Sequence, residues 1–166
     1  MTSDEWLVGF MEGQVSFSVN IGLTSTKNKR YVVLKPYITI ANADQYQISF
    51  IRTHLGLSSK WSKKTKKEEY HSECYSLNIQ KFEDIDRILQ KLAEYQFKSR
   101  IKQEKVTRFA ECYFAIKKIG YIHTTWNDDF VGIIEKKLKI NQKRSNIEKN
   151  RFGKDDWIKK IQEHLN

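Results

Sequence analysis

A single proline, seven glycines and two cysteines among 166 residues leave little material for flexible linkers, a disulfide framework or a zinc site. Cys74 and Cys112 lie far apart, form no CxxC and pair with no histidine at ligand spacing, so reduced structural thiols are the plain reading. His54, His71, His123 and His164 make no HxxxH pattern, and no repeat on the order of 20 to 50 residues is visible. No apolar run approaches the length of a membrane-spanning helix. The opening Met1-Thr2-Ser3-Asp4-Glu5 carries acid where a secretory or transit peptide carries base, so a membrane partner is not expected. What the chain has in excess is positive charge. Thirty Lys plus Arg against twenty Asp plus Glu give +10, which points to a polyanionic partner, nucleic acid ahead of a membrane surface. A hydrophobic content of 39%, with 13% aromatic, is enough for the core of one compact domain.

The periodicity reads as an α+β fold. Thr2 with Glu5 forms a capping-box pattern that opens a first helix, which ends near Gly13. From Ser16 to Thr24 the chain alternates: Phe17, Val19, Ile21 and Leu23 on one face, Ser16, Ser18, Asn20, Gly22 and Thr24 on the other. After the polar turn Thr26-Lys27-Asn28-Lys29-Arg30 a second strand alternates Val32, Leu34, Pro36, Ile38 and Ile40 with Tyr31, Val33, Lys35, Tyr37 and Thr39. Pro36 argues for an edge strand or a bulge. Asn42-Ala43-Asp44 can cap a helix through about Leu55, with Gly56 just past its end. Residues 61–65 and 70–79 suggest a second hairpin across a lysine-rich turn. Helical spacing returns at Phe82, Ile85, Ile88, Leu89 and Leu92, at Val106, Phe109, Tyr113 and Ile116, and at Phe130, Ile133, Ile134 and Leu138. A last basic helix is expected over residues 155–165. The order is therefore α, β, β, α, β, β, α followed by further helices.

Residues 6 to 17 carry the strongest signal. Gly9 and Gly13, four apart, strip Cβ from one stripe of the first helix and let another helix approach almost backbone to backbone. The segment resembles the signature helix of the LAGLIDADG homing endonucleases. Leu7, Val8, Gly9, Phe10, Met11, Glu12 and Gly13 match the first seven motif positions in register, and Ser16-Phe17 match the usual start of the following strand. Ile40-Ala41-Asn42-Ala43-Asp44 looks like a common family variant before the second helix. The resemblance covers roughly residues 4 to 100. It implies an αββαββα core with a saddle-shaped antiparallel sheet over about residues 4–120; beyond Gly120, periodicity alone gives a basic helical extension over about 121–166 with extra C-terminal helices. It also implies a homodimer joined through Leu7, Gly9, Phe10 and Gly13, a near-palindromic duplex target, and Mg²⁺ as the cofactor of any cleavage.

Two departures stand at the catalytic position. The eighth motif residue is Gln14, where the family carries the acid that binds the metal, and the ninth is Val15 in place of glycine. A neutral amide oxygen lacks the charge that draws Mg²⁺ from its hydration shell, so cleavage is expected to be impaired or lost. Glu12, two residues earlier on a helix, points about 200° away from Gln14 and is a poor substitute. The resemblance places a basic residue near the scissile phosphate, for which Lys102 is the candidate with Arg100 behind it. The run Lys98-Ser99-Arg100-Ile101-Lys102 reads equally as a solvated basic turn.

On the strand faces, Ser18, Asn20, Thr24, Tyr31, Lys35, Tyr37 and Thr39 are the expected groove contacts. Lys27, Lys29 and Arg30 on the first hairpin and Lys60, Lys63, Lys64, Lys66 and Lys67 on the second add positive charge, and Tyr75 is a further expected contact on the second. Residues 136–160 hold further bases, with 141–146 expected as a loop. Duplex DNA is the favoured partner. The alternatives are a structured-RNA binder, such as an intron maturase or ribonucleoprotein component, and an active endonuclease that manages without the carboxylate. Richness in Lys, Ile and Asn fits an A·T-biased organellar gene of a mitochondrion or chloroplast, or a bacterial cytoplasmic protein.

Overall fold

A computed structural model describes residues 3–64, 74–140 and 153–166. Residues 65–73, 141–152 and the capping Thr2 lie outside the described part. Along it run α1 (Ser3–Gln14), β1 (Val15–Ser25), β2 (Arg30–Asn42), α2 (Gln45–His54), β3 (Trp61–Lys64) and β4 (Cys74–Ile79). There follow α3 (Phe82–Glu94), α4 (Arg100–Ile119), β5 (Ile122–His123), α5 (Asp129–Ile140) and α6 (Lys154–Leu165). The sheet orders its strands β1-β2-β4-β3, with β5 also on β2. The αββαββα order read from the sequence is present, with the additional helices after it. Among the described residues no helix is long and apolar enough to cross a membrane.

The chain divides into two compact units, Met1–Phe17 with Tyr37–Glu104 and Ser18–Pro36 with Lys105–Asn166. The division runs through both strands of the first hairpin and through α4. In the first unit Leu7, Val8 and Met11 of α1, Ile38 and Ile40 of β2, Ile48 and Ile51 of α2, Leu77 and Ile79 of β4, and Ile85, Ile88 and Leu92 of α3 are buried. Each such aliphatic side chain contributes about 1.5–3 kcal/mol when fully withdrawn from water. The second unit buries Val19, Ile21, Val32 and Leu34 of the hairpin, Phe109, Tyr113 and Ile116 of α4, Phe130, Ile133 and Ile134 of α5, and Ile161 of α6. Cys74 and Cys112 are free thiols, and burial pushes the Cys112 thiol up to about 12.

Pro36 is neither at a sheet edge nor in a strand lacking neighbours, because β2 has β1 on one side and β4 and β5 on the other. On that second side β5 meets Val32 and Val33, and β4 meets Ile38 to Asn42, so Pro36 falls in the gap between them. The Leu34 N–H donates to Tyr121 O at 2.8 Å on the same side. Backbone donors two residues apart point the same way, so proline occupies a place whose N–H would have no strand to meet.

Helix ends follow the local chemistry. The Asp44 carboxylate accepts from Tyr46 N at 2.8 Å and caps α2, and Gly56 takes φ 60° just past its end. The segment between α2 and β3 is held by a residue that sequence patterning gave no reason to single out. Asp84 on α3, only 1% exposed, accepts from the N–H and hydroxyl of Ser58 and of Ser59 at 2.8–3.1 Å. Burial alone would push this carboxyl up, but the four donors together outweigh it and hold its pKa below the ordinary 3.8. A depressed carboxyl stabilises the fold above its unfolded pKa, and that contribution disappears as pH falls through the folded value. Asp84→Ala is therefore expected to cost about 3 kcal/mol at neutral pH by stranding buried donors. Asp84→Asn should flatten the fall in melting temperature between about pH 5 and pH 2, measured by circular dichroism.

Candidate nucleic-acid interface and motif helix

Burial along α1 separates the motif residues into two stripes. Leu7, Val8 and Met11 face the core of their own unit, whereas Gly9 and Gly13 are exposed and Phe10 is half-buried. Leu7 is fully buried within the subunit, so its expected place in a dimer interface is corrected. Position 7 lies one turn before the buried Met11, on the side of the helix that meets the core. A Cβ built on Gly9 or on Gly13 would meet no atom within 4 Å, so neither glycine is required by packing within the subunit. Trp6 stacks on Phe10 at 5.5 Å and meets Phe50 edge-on at 5.7 Å, yet Trp6 remains 41% and Phe50 47% exposed. With Tyr95, Gln96 and Lys98, Trp6 and Phe10 border an open groove beside Gly9.

Glu12 has a structural task. Its carboxylate accepts from Lys98 N at 3.2 Å and from Ser99 N at 2.5 Å, joining α1 to the residues just before α4. Those bonds turn it toward residues 98–99. Gln14, the last residue of α1, is exposed. Lys102, in the first turn of α4, reaches back and its ammonium donates to Val15 O at 3.1 Å. Residues 87 apart in the chain thus meet at the helix-to-strand junction, and the basic run 98–102 is the entry to a helix, with Lys102 turned inward. Arg100 points elsewhere: it is 91% exposed at its side chain and pairs with Glu104 at 3.2 Å.

The alternation read from β1 and β2 is present in their burial. In the second unit Asn20, Thr24 and Lys35 are exposed, Ser18 and Tyr31 half-buried, and Lys27, Lys29 and Arg30 exposed around the hairpin tip. In the first unit Tyr37 and Thr39 stand half-buried on the polar face of β2, with Thr39 Oγ1 donating to Asn78 Oδ1 at 2.9 Å. The register Thr39↔Asn78 and Ser62↔Ser76 fixes the parity of the second hairpin, which the sequence had left open. Ser62, Ser76 and Asn78 therefore belong to the polar face and form their own hydrogen-bonded cluster. Strict alternation of Leu77 and Ile79 with Ser76 and Asn78 was the available signal.

The same register puts Lys63 opposite Tyr75, and Tyr75 opposite Asn42, on the parity of Leu77 and Ile79. Lys63 and Tyr75 thus stand on the face that carries the core. There the Lys63 ammonium lies 5.9 Å from the Tyr75 ring centre, and Trp61 meets that ring edge-on. Lys60 is exposed just before β3. Lys64 ends β3 opposite Cys74, while Lys66 and Lys67 lie outside the described residues.

The donor set at the motif position does not suit Mg²⁺. Among the described residues no three carboxylate, imidazole or thiolate groups converge. At the place where a charged oxygen is wanted stands the neutral amide of Gln14, and the nearby acid Glu12 is bonded to backbone N–H groups.

A motif helix delivering its last residue to the start of a polar-faced hairpin, twice-paired sheet and all, defines a class. The chain belongs to the LAGLIDADG endonuclease family, whose family model matches residues 7–113. No curated protein sequence matches the chain. Among solved structures, the archaeal intron-encoded homing endonuclease I-Vdi141I, complexed with DNA, is similar with a TM-score of 0.70 at 17% identity, over 98% of this chain and 91% of that one. The LAGLIDADG meganuclease I-CpaMI, bound to uncleaved DNA, gives a TM-score of 0.68 at 19% identity over 85% of this chain, which spans 44% of that protein. The homing endonuclease I-TnaI gives a TM-score of 0.65 at 17% identity over 85% of this chain and 89% of its own. The fold is accordingly that of the LAGLIDADG homing endonucleases.

Proposed function

We propose that this protein is a homodimer that binds duplex DNA sequence-specifically through the polar faces of its hairpins, and that its phosphodiester cleavage is impaired or lost. The observation that carries the proposal is on α1. Its glycine stripe is open to a second copy, and the residue ending the helix is an exposed amide in place of an acid. Two copies about a dyad would present identical half-sites, and the target would be near-palindromic. The matched complexes, in which the bound partner is DNA, support the choice of DNA. Around the first hairpin tip, Lys27 and Lys29 suit phosphate, while Asn20, Thr24 and Lys35 suit base edges.

Selection from pooled random duplex DNA and transcribed RNA tests this. The expected result is enrichment of near-palindromic duplexes by a species of two chains. Enrichment of structured RNA alone, by a single chain, would replace the reading with that of an RNA binder such as a maturase. On the selected site, Lys27→Gln and Lys29→Gln should weaken binding across all sequences. Each should also lower the slope of log affinity against log salt by about 1, measured by fluorescence anisotropy.

A further inference from the structure

We infer that His164, in the last turn of α6, is a positioning residue that holds the tip of the first hairpin in the shape needed to read base pairs. The inference rests on the DNA-binding reading above. One residue bonds to both strands of the tip: the His164 ring Nε2 donates to Thr24 O of β1 at 3.2 Å, and the Arg30 guanidinium of β2 donates to His164 O at 3.3 Å. Between these points the turn is closed by Thr26 N and Thr26 Oγ1, both donating to Lys29 O, at 2.8 and 3.3 Å. Leu165 and Thr124 border the same small cleft as Thr26, Lys27, Asn28 and Lys29.

The brace has a firm base. Ile161 is fully buried, Lys154 pairs with Glu135 of α5 at 2.6 Å, and the Lys137 ammonium sits 5.1 Å from the Trp157 ring centre. α6 is therefore fastened to α5 and presents its carboxyl end to the hairpin. That end carries unpaired helix carbonyls and partial negative charge, and Arg30 donates to one of them. Arg30 is accordingly part of the scaffold of the tip, which leaves Lys27 and Lys29 to meet the polyanion. A two-stranded tip without such support frays, and a side chain on it cannot hold the angle that base discrimination demands. Local spacing carries no mark of this role, because residues 24 and 164 are joined only by the fold.

The test uses the full chain and the base preferences of the selected duplex, position by position, for wild type, His164→Ala and His164→Gln. His164→Ala removes the ring donor but keeps the main-chain oxygen for Arg30. It is expected to lower discrimination roughly tenfold at one contiguous group of base pairs in each half-site, leaving the other positions and the salt slope unchanged. His164→Gln supplies an amide N–H to Thr24 O and should restore most of that preference. Unchanged preferences in His164→Ala would overturn the inference, and so would an even loss at every position, which marks general loosening. A wild-type chain with no duplex preference would remove the DNA-binding reading itself, an outcome distinct from either.

Discussion

Gln14→Glu is expected to create Mg²⁺-dependent nicking of the selected duplex, or to raise it on the order of a hundredfold or more, the worth of one well-placed electrostatic group. The physical difference is a full negative charge at the end of α1 in place of an amide dipole, in a residue that is already exposed. No core group must move to accept it, since Leu7, Val8 and Met11 carry the packing of the helix. In a dimer the substitution brings two carboxylates toward the dyad. Without a divalent ion they repel, so the variant should dissociate more readily in EDTA than the wild type and regain its mass when Mg²⁺ is added. A plasmid-nicking assay with Mg²⁺ and Mn²⁺, beside sedimentation with and without chelator, reads both effects. Robust cleavage by wild type that survives Gln14→Ala would show that the position is dispensable and sink the argument.

Gly9→Ala with Gly13→Ala should split two properties that usually move together. Within one subunit an added Cβ meets open space at both positions. Alanine also improves each helical position by about 0.8–1 kcal/mol, so folding of the isolated chain is expected to gain. Between two copies the same methyl groups stand where backbones must approach. Overpacking there costs on the order of 3 kcal/mol in total, which is over about a hundredfold in dimer dissociation constant. Equilibrium sedimentation should show one chain where wild type shows two, with helical circular dichroism retained and DNA affinity falling with the loss of the second half-site. A variant that stays dimeric would locate the interface elsewhere, the exposed aromatic pair Trp6 and Phe50 being the next surface to test.

The first half of the chain was legible because its periodicities are clean. Val19 and Ile21 against Ser18 and Asn20, and Leu34 and Ile38 against Lys35 and Tyr37, declare a sheet with one wet face. The second hairpin was not legible in the same way. β3 has four residues, too few to show a period, and its parity came only from the register with β4. That is why no face could be assigned to Lys63 and Tyr75 and why Ser62, Ser76 and Asn78 were missed. Leu7 misled for another reason: a motif match gives register along a helix but not which turn of the stripe the core claims. Long-range polar pairings such as Asp84 with Ser58 and Ser59, or His164 with Thr24, leave no trace in local spacing. Lys102 was reachable by resemblance, but its bond to Val15 O had to be seen.

The two ties that bind α4 to the motif helix have a mechanical consequence. Glu12 grips the backbone of Lys98 and Ser99 just before α4, and Lys102 in its first turn grips Val15 O at the start of β1, so the entry to α4 is lashed to the helix-to-strand junction at two points on either side of Gln14. In the proposed homodimer, whatever tilted the glycine-faced rod on meeting its mate would drag the lysine along in the same stroke. Assembly and the placing of that positive charge would then be a single lever, and a half-assembled protein would hold its ammonium out of true.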